Sequence, residues 1–202
     1  MQNFQIKGAP TCRVAYVEGL FEKRSIKGAD PLSTSVPKYN GLILIPKDDV
    51  DKMNQVKEAY DKAFQELQAK GFKPKSAASI NPKNNCFVDG EVFYENTECE
   101  AFRNYMVLKV ASKNIRPIVT DMQKRVILNG VNLANVQIEN ISDEELVSGD
   151  YVFANVSFWT YCNATAQGIG CNLHALMRVR EGERIGGMSH NVDDYIDIEG
   201  YE

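Results

Sequence analysis

The run Tyr151-Val152-Phe153-Ala154-Asn155-Val156-Ser157-Phe158-Trp159-Thr160-Tyr161-Cys162 carries the side chains best suited to recognition chemistry. In an extended strand, successive side chains point to opposite faces. One set, Val152, Ala154, Val156, Phe158, Thr160 and Cys162, suits a core. The other set is Tyr151, Phe153, Asn155, Ser157, Trp159 and Tyr161. It mixes two polar side chains with four flat rings. Rings on a partly wet face are what stacking on unpaired nucleobases requires. The same set also fits a second core face or a dimer seam, because aromatics are common in strands.

Catalytic chemistry finds little to work with. There are two histidines, His174 and His190, and neither sits at a recognised metal-ligand spacing. Cys162, Cys171 and His174 lie close in sequence and could form a zinc site; a buried strand cysteine is the default alternative. No phosphate-cradling loop, nucleophile elbow or dinucleotide fingerprint is present. Asp48-Asp49 sits where a helix begins, and the helix dipole accounts for it. Neither a catalytic residue, a metal site nor a cofactor is expected.

The elements that must carry the aromatic run can be read around it. Thr11–Val17 reads as a strand with Cys12, Val14 and Tyr16 on one side and Arg13 and Ala15 on the other. Residues 22–36 read as a loop. Lys38–Ile45 is a strand whose apolar end suggests a central place in a sheet. The clearest helix follows, capped by Asp48 or Asp49 and ended by Gly71. Its stripe is Met53, Val56, Tyr60, Ala63, Phe64 and Leu67, with Lys52, Lys57, Asp61, Lys62, Glu66 and Lys70 away from it. Such a stripe packs on a sheet far more often than it forms a partner groove. Residues 73–96 read as loops around a weak strand, where Lys73, Lys75 and Lys83 could touch a phosphate backbone but such a scatter is usually solvated surface. Asn104–Ala111 is a strand with Tyr105, Val107 and Lys109 on one face. It leads to a cationic turn holding Lys113 and Arg116, after which Ile115–Val119 could continue it past a bulge. Ser142-Asp143-Glu144-Glu145 has the form of a capping box, predicting a short helical turn before Gly149. The last strand, Ile169–Arg180, alternates Cys171, Leu173, Ala175, Met177 and Val179 against Asn172, His174, Leu176, Arg178 and Arg180. Short strands plus one good helix predict a mostly β fold, a small antiparallel barrel with one main helix and inserted loops.

Charge is unevenly placed. The 202-residue chain has 23 Lys and Arg against 27 Asp and Glu, a net charge of −4. Five of the acids, Asp193, Asp194, Asp197, Glu199 and Glu202, fall after residue 190, where no Lys or Arg occurs. The body is therefore close to neutral. An acidic segment on such a body can mimic an anion that the body binds; a solubilising role is the alternative. Five cysteines without regular spacing suit a reducing compartment. No apolar run reaches the roughly 20 residues of a membrane span, and the first residues lack a secretion signal's apolar core.

Several pieces, taken in order, resemble a known family. They are Pro37-Lys38-Tyr39 through Leu44-Ile45-Pro46-Lys47-Asp48 and the helix after it; Ala111-Ser112-Lys113 with Arg116-Pro117; Ser148-Gly149-x-Tyr151 running to Trp159-Thr160-Tyr161; Gly168-Ile169-Gly170-Cys171-Asn172-Leu173; and Gly182-Glu183-x-x-Gly186-Gly187 followed by acids with an aromatic. Together they resemble the bacteriophage single-stranded-DNA-binding proteins once filed as a domain of unknown function. These are similar in plan to the replication single-strand binder of podoviruses. Phe153 departs from the pattern, standing where many relatives carry a basic residue, and the segment from Leu128 to Glu139 is longer than usual.

The resemblance implies an OB-fold-like domain over residues 1–190 and a flexible acidic tail over 191–202. It implies non-catalytic binding of single-stranded DNA in replication or recombination, in the cytoplasm of a bacterial host. Tyr151, Phe153, Trp159 and Tyr161 are then the candidate stacking rings, with Tyr105 a further candidate DNA contact. Arg13, Lys38, Lys109, Lys113, Arg116, Arg178 and Arg180 are the candidate phosphate contacts. The tail, with Asp193, Asp194, Tyr195, Asp197, Glu199, Tyr201 and Glu202, would compete with DNA and recruit a polymerase or helicase. The alternative is a structural or assembly protein that uses the aromatic face to form a homodimer or larger oligomer.

Overall fold

A computed structural model describes residues 4–9, 11–24, 36–97, 99–127 and 140–185. The tail over 191–202, the Leu128–Glu139 segment and most of the 22–36 loop lie outside the described residues.

The strands are β1 (Phe4–Gln5), β2 (Arg13–Ala15), β3 (Tyr39–Pro46), β4 (Phe87–Asp89), β5 (Tyr105–Ser112), β6 (Ile118–Thr120), β7 (Tyr151–Cys162) and β8 (Gln167–Arg180). The helices are α1 (Glu18–Phe21), α2 (Val50–Ala69) and α3 (Glu91–Thr97). The protein is thus mostly β with one main helix. Hydrogen-bonded neighbours run β4-β5-β3-β2-β7-β8-β6, and β1 also pairs with β7. The expected closed antiparallel barrel is not what forms. The sheet is an open path of ladders, and β6 pairs with β8 in parallel. A single bridge, Asn85↔Ile169, brings the β4 end of the path against β8.

Helix α2 follows the sequence reading. Asp49 caps it by accepting from the Lys52 backbone N–H at 3.1 Å, and Gly71 leaves it at φ +105°, the left-handed conformation that glycine adopts freely. Val56, Tyr60, Ala63 and Leu67 are buried against the main core. The Tyr60 ring meets Phe158 of β7 edge-on at 5.7 Å. Lys52 is a correction: it is buried, because its ammonium pairs with Asp49 at 2.8 Å. A buried ammonium is tolerated only with such a partner.

Four other expectations change. Residues 115–119 do not prolong β5; the chain turns at Ser112–Pro117 and Ile118–Thr120 crosses to pair with β8. Residues 91–97 form a helix, with Asp89 accepting from the Glu91 N–H at 3.0 Å. Ser142 starts no helix. Its hydroxyl donates to the buried Asp121 carboxylate at 2.7 Å, and the Val126↔Ile141 bridge closes the two sides of the 128–139 segment together. The fourth change is in β8, which is two residues longer than β7. Register shifts leave His174 and Val179 without partners, so Leu173 faces Val156 and Ala175 faces Asn155. These are β-bulges. They turn Leu176 and Arg178 onto the core side, opposite Ala154 and Val152.

Two buried clusters lie on the two sides of the sheet. The larger contains Val152, Ala154, Val156 and Phe158 of β7 with the α2 stripe. The smaller contains Ala15, Leu42, Leu44, Val107, Phe102 and Ile185. Tyr105 packs against the smaller cluster. Its neighbour by alternation on β5, Lys109, shares that face.

Candidate nucleic-acid interface

The site is built on glycines as much as on rings. Trp159 of β7 is paired across the ladder with Gly170 of β8, and Tyr161 with Gly168. A Cβ on Gly170 would fall 2.3 Å from the Trp159 ring, and one on Gly168 would fall 2.1 Å from the Asn84 carbonyl oxygen and 2.7 Å from the Tyr161 hydroxyl. Only a residue without a side chain at 170 lets the indole lie down on the neighbouring strand, while Gly168 makes room for the Asn84 backbone as well as for the Tyr161 hydroxyl. The two rings sit 5.2 Å apart at 36°. The Trp159 indole N–H is buried without a hydrogen-bond partner, an arrangement that costs free energy.

Trp159 and Tyr161 line a cavity of about 590 Å³. Its other walls hold Lys38, Asn40 and Leu42 of the β3 region, Lys83, Asn84 and Cys86, Lys109 of β5, and Tyr16. Lys109 donates to the Pro82 carbonyl at 2.6 Å, and burial pushes its ammonium pKa below the usual lysine value. A cation held in that state gains from an incoming anion. Lys38, Lys83 and Lys109 form no ion pair among the described residues. Lys113 is exposed and Arg116 half-buried on the turn that follows Ala111, itself a lining residue.

The remaining sequence-derived residues lie elsewhere. Tyr151 is ten positions from Tyr161 on β7, about 33 Å along an extended strand. Its ring is flanked by the guanidinium groups of Arg13 at 5.3 Å and Arg180 at 3.5 Å. Tyr151, Tyr105 and Arg180 line a different cavity, whose walls carry Asp48, Asp49 and Asp51. Phe153 is half-buried opposite Met177. The four rings on the outer face of β7 therefore do not form one row in one cavity.

Two of the candidate cations have internal partners. Arg13 is 7% exposed and donates to the backbone carbonyls of Gly149, at 2.7 Å, and Glu183. Arg178 binds the Asp150 carboxylate at 2.7 Å and Glu144 at 2.6 Å. Both are held by these internal partners, and neither lines the cavity of Trp159 and Tyr161. The sequence could not show this for Arg178, whose inward turn depends on the bulge at His174. Two lining residues stood outside the candidate set: Tyr16, read only as sharing a side with Cys12 and Val14, and Lys83, weighed as a phosphate contact but read as solvated charge.

The zinc alternative does not assemble. Cys171 is buried on the core side, its thiol pushed up by burial, while the His174 ring hydrogen-bonds Ser157 at 2.7 Å. No group of three metal-binding side chains is present among the described residues. No helix among them is long and apolar enough to cross a membrane.

Comparison with known proteins sets this geometry in context. Curated proteins give no match. Among solved structures, the single-stranded DNA-binding protein of bacteriophage Enc34, in complex with ssDNA, superposes with a TM-score of 0.57 at 19% identity, over 87% of this chain and 86% of that one. The single-stranded DNA-binding protein gp2.5 of bacteriophage T7 gives 0.53 at 15% identity, over 100% and 98%. At such identities the likeness is one of fold. The family model of the Enterobacter phage Enc34 ssDNA-binding protein matches residues 6–201, nearly the whole length, and the chain belongs to that family.

Proposed function

We propose that this protein binds single-stranded DNA without catalysis, in the cavity floored by Trp159 and Tyr161. Bases stack on these rings, and Lys38, Lys83 and Lys109 meet the phosphates, with Lys113 and Arg116 following outside the cavity. The observation that carries the reading is a pair of rings laid over two glycines beside three lysines. A π-face is common to every base, so binding depends little on sequence. We read the curled sheet, pinned at Asn85↔Ile169, as a variant of the OB-type plan. The acidic tail competes with DNA for the lysines and, once displaced, recruits replication proteins of phage or host.

Titration with oligo-dT, followed by Trp159 emission, tests this. Quenching is expected, with a log–log salt slope near −2 for three phosphate contacts at about −0.7 each. The double variant Trp159→Ala, Tyr161→Ala should bind at least about 30-fold more weakly, since each stacked base contributes roughly 1–3 kcal/mol. Removal of residues 191–202 should tighten binding at low salt. Full binding by the folded double variant would refute the site, and unchanged affinity without the tail would refute the competition.

A further inference from the structure

Tyr16 follows β2, and its backbone is left-handed at φ 56°, a region that non-glycine residues rarely occupy. Its ring is 38% exposed, stacked at 6.3 Å and 27° on Phe102, which is fully buried. It lines the same cavity as Trp159 and Tyr161. Backbone pairing fixes how these residues are related. Ala15 pairs with Leu42, Leu42 with Lys109, Lys109 donates its N–H to Cys86, and Cys86 donates to Ile169. That row crosses the sheet from β2 to β8. Four steps of about 4.8 Å separate its ends, or roughly 19 Å. Trp159 and Tyr161 lie at one end, beside Gly170 and Gly168, and Tyr16 follows directly on the other.

We propose that Tyr16 is a third nucleobase-stacking residue, so that the single strand runs across the strands, from Trp159 and Tyr161 over Lys109 to Tyr16. This rests on the reading of the cavity as the DNA site. Three observations favour it over a merely structural ring. Glycine at position 16 would relieve the backbone conformation, yet a large ring is held there. Phe102 backs the ring without enclosing it. Close packing fixes the junction behind it: a Cβ on Gly19 would fall 2.4 Å from the Asn40 carbonyl oxygen, and one on Gly41 would fall 2.7 Å from Leu20. A pre-set ring of this kind loses little freedom when a base arrives.

Binding of a labelled oligo-dT by anisotropy tests the assignment. Tyr16→Phe should bind within about twofold of the parent. Tyr16→Gly should bind about 5- to 150-fold more weakly, the range for loss of one base–ring stack. Because that change also uncovers Phe102, a second variant reads the contact directly. In the pair Tyr16→Trp, Trp159→Phe, the only indole stands at position 16, and oligo-dT should quench its emission. Parent-like affinity in Tyr16→Gly, or unquenched emission in a pair that still binds, would overturn the role of Tyr16. If instead Trp159→Ala, Tyr161→Ala also binds fully, the site itself is wrong, and the two failures are told apart.

Discussion

Replacing Gly170 by alanine should separate a ring that is placed by its neighbour from a ring that merely happens to lie there. The new Cβ would sit 2.3 Å from Cε2, 2.5 Å from Cζ2 and 2.6 Å from Nε1 of Trp159. Carbon atoms in contact sit about 3.5–4.0 Å apart. The indole must therefore recede by roughly 1.2 Å or more, against Tyr161 at 5.2 Å. Overpacking of this kind costs about 1–3 kcal/mol. Glycine itself is a poor strand residue, and alanine should recover about 0.5–1 kcal/mol when nothing stands in its way. The sign of the effect should thus depend on the ring. Gly170→Ala should destabilise the parent, and it should stabilise a Trp159→Ala background, where the obstruction is gone. Urea unfolding of the four proteins gives the coupling, expected at about 1–3 kcal/mol. Oligo-dT affinity should fall with the displaced ring in the parent background alone. If Gly170→Ala has the same sign in both backgrounds, the glycine does not position the ring and the argument for the site loses its main support.

Two further outcomes follow from the charged groups. Arg178→Ala should destabilise the fold by about 3–5 kcal/mol by stranding the buried Asp150 carboxylate, while the folded variant should keep its oligo-dT affinity within twofold; a selective loss of DNA binding would restore Arg178 to the phosphate set. Asp49 is held down to about 2, chiefly by its hydrogen bond to Lys52, below an unfolded value near 3.9. Its stabilisation is therefore fully present above about pH 4 and lost as pH falls toward 2, a contribution of about 1 kcal/mol once solvent screening is allowed for. Asp49→Asn keeps a helix cap and should flatten the stability profile between pH 4 and 2, as measured by urea midpoints across that range.

Where local pattern and tertiary environment agree, the chain could be read directly. Helix α2 was legible because its stripe, its Asp49 cap and its Gly71 terminator all sit within one stretch. The alternation of β7 was legible, since no bulge falls on that strand, except at Ser157, which was placed on the wetter face and is buried with its hydroxyl on the His174 ring. Arg178 was not, because one unpaired residue upstream reverses its face and its partners, Glu144 and Asp150, lie 34 and 28 positions away. Arg13 looked like a surface cation because nothing nearby in sequence announces the carbonyls of Gly149 and Glu183. Tyr16 and Lys83 belong to turns whose neighbours are fixed by strand order. The α3 helix did leave a signal, an Asp89 cap ahead of Glu91, but it was lost in a polar stretch.

The two unpaired residues of β8 behave as frame shifts. Beyond His174 the alternation begun at Cys171 and Leu173 is inverted, which is why Leu176 and Arg178 share their side. Deleting His174 would remove the bulge and leave Leu176 opposite Ala154 and Arg178 opposite Val152, whereas one more inserted residue there would push Leu176 toward water and pull Arg178 off Asp150. Insertions should therefore be excluded from this strand and accommodated elsewhere, as between residues 127 and 140, where Val126 and Ile141 already close the two sides together.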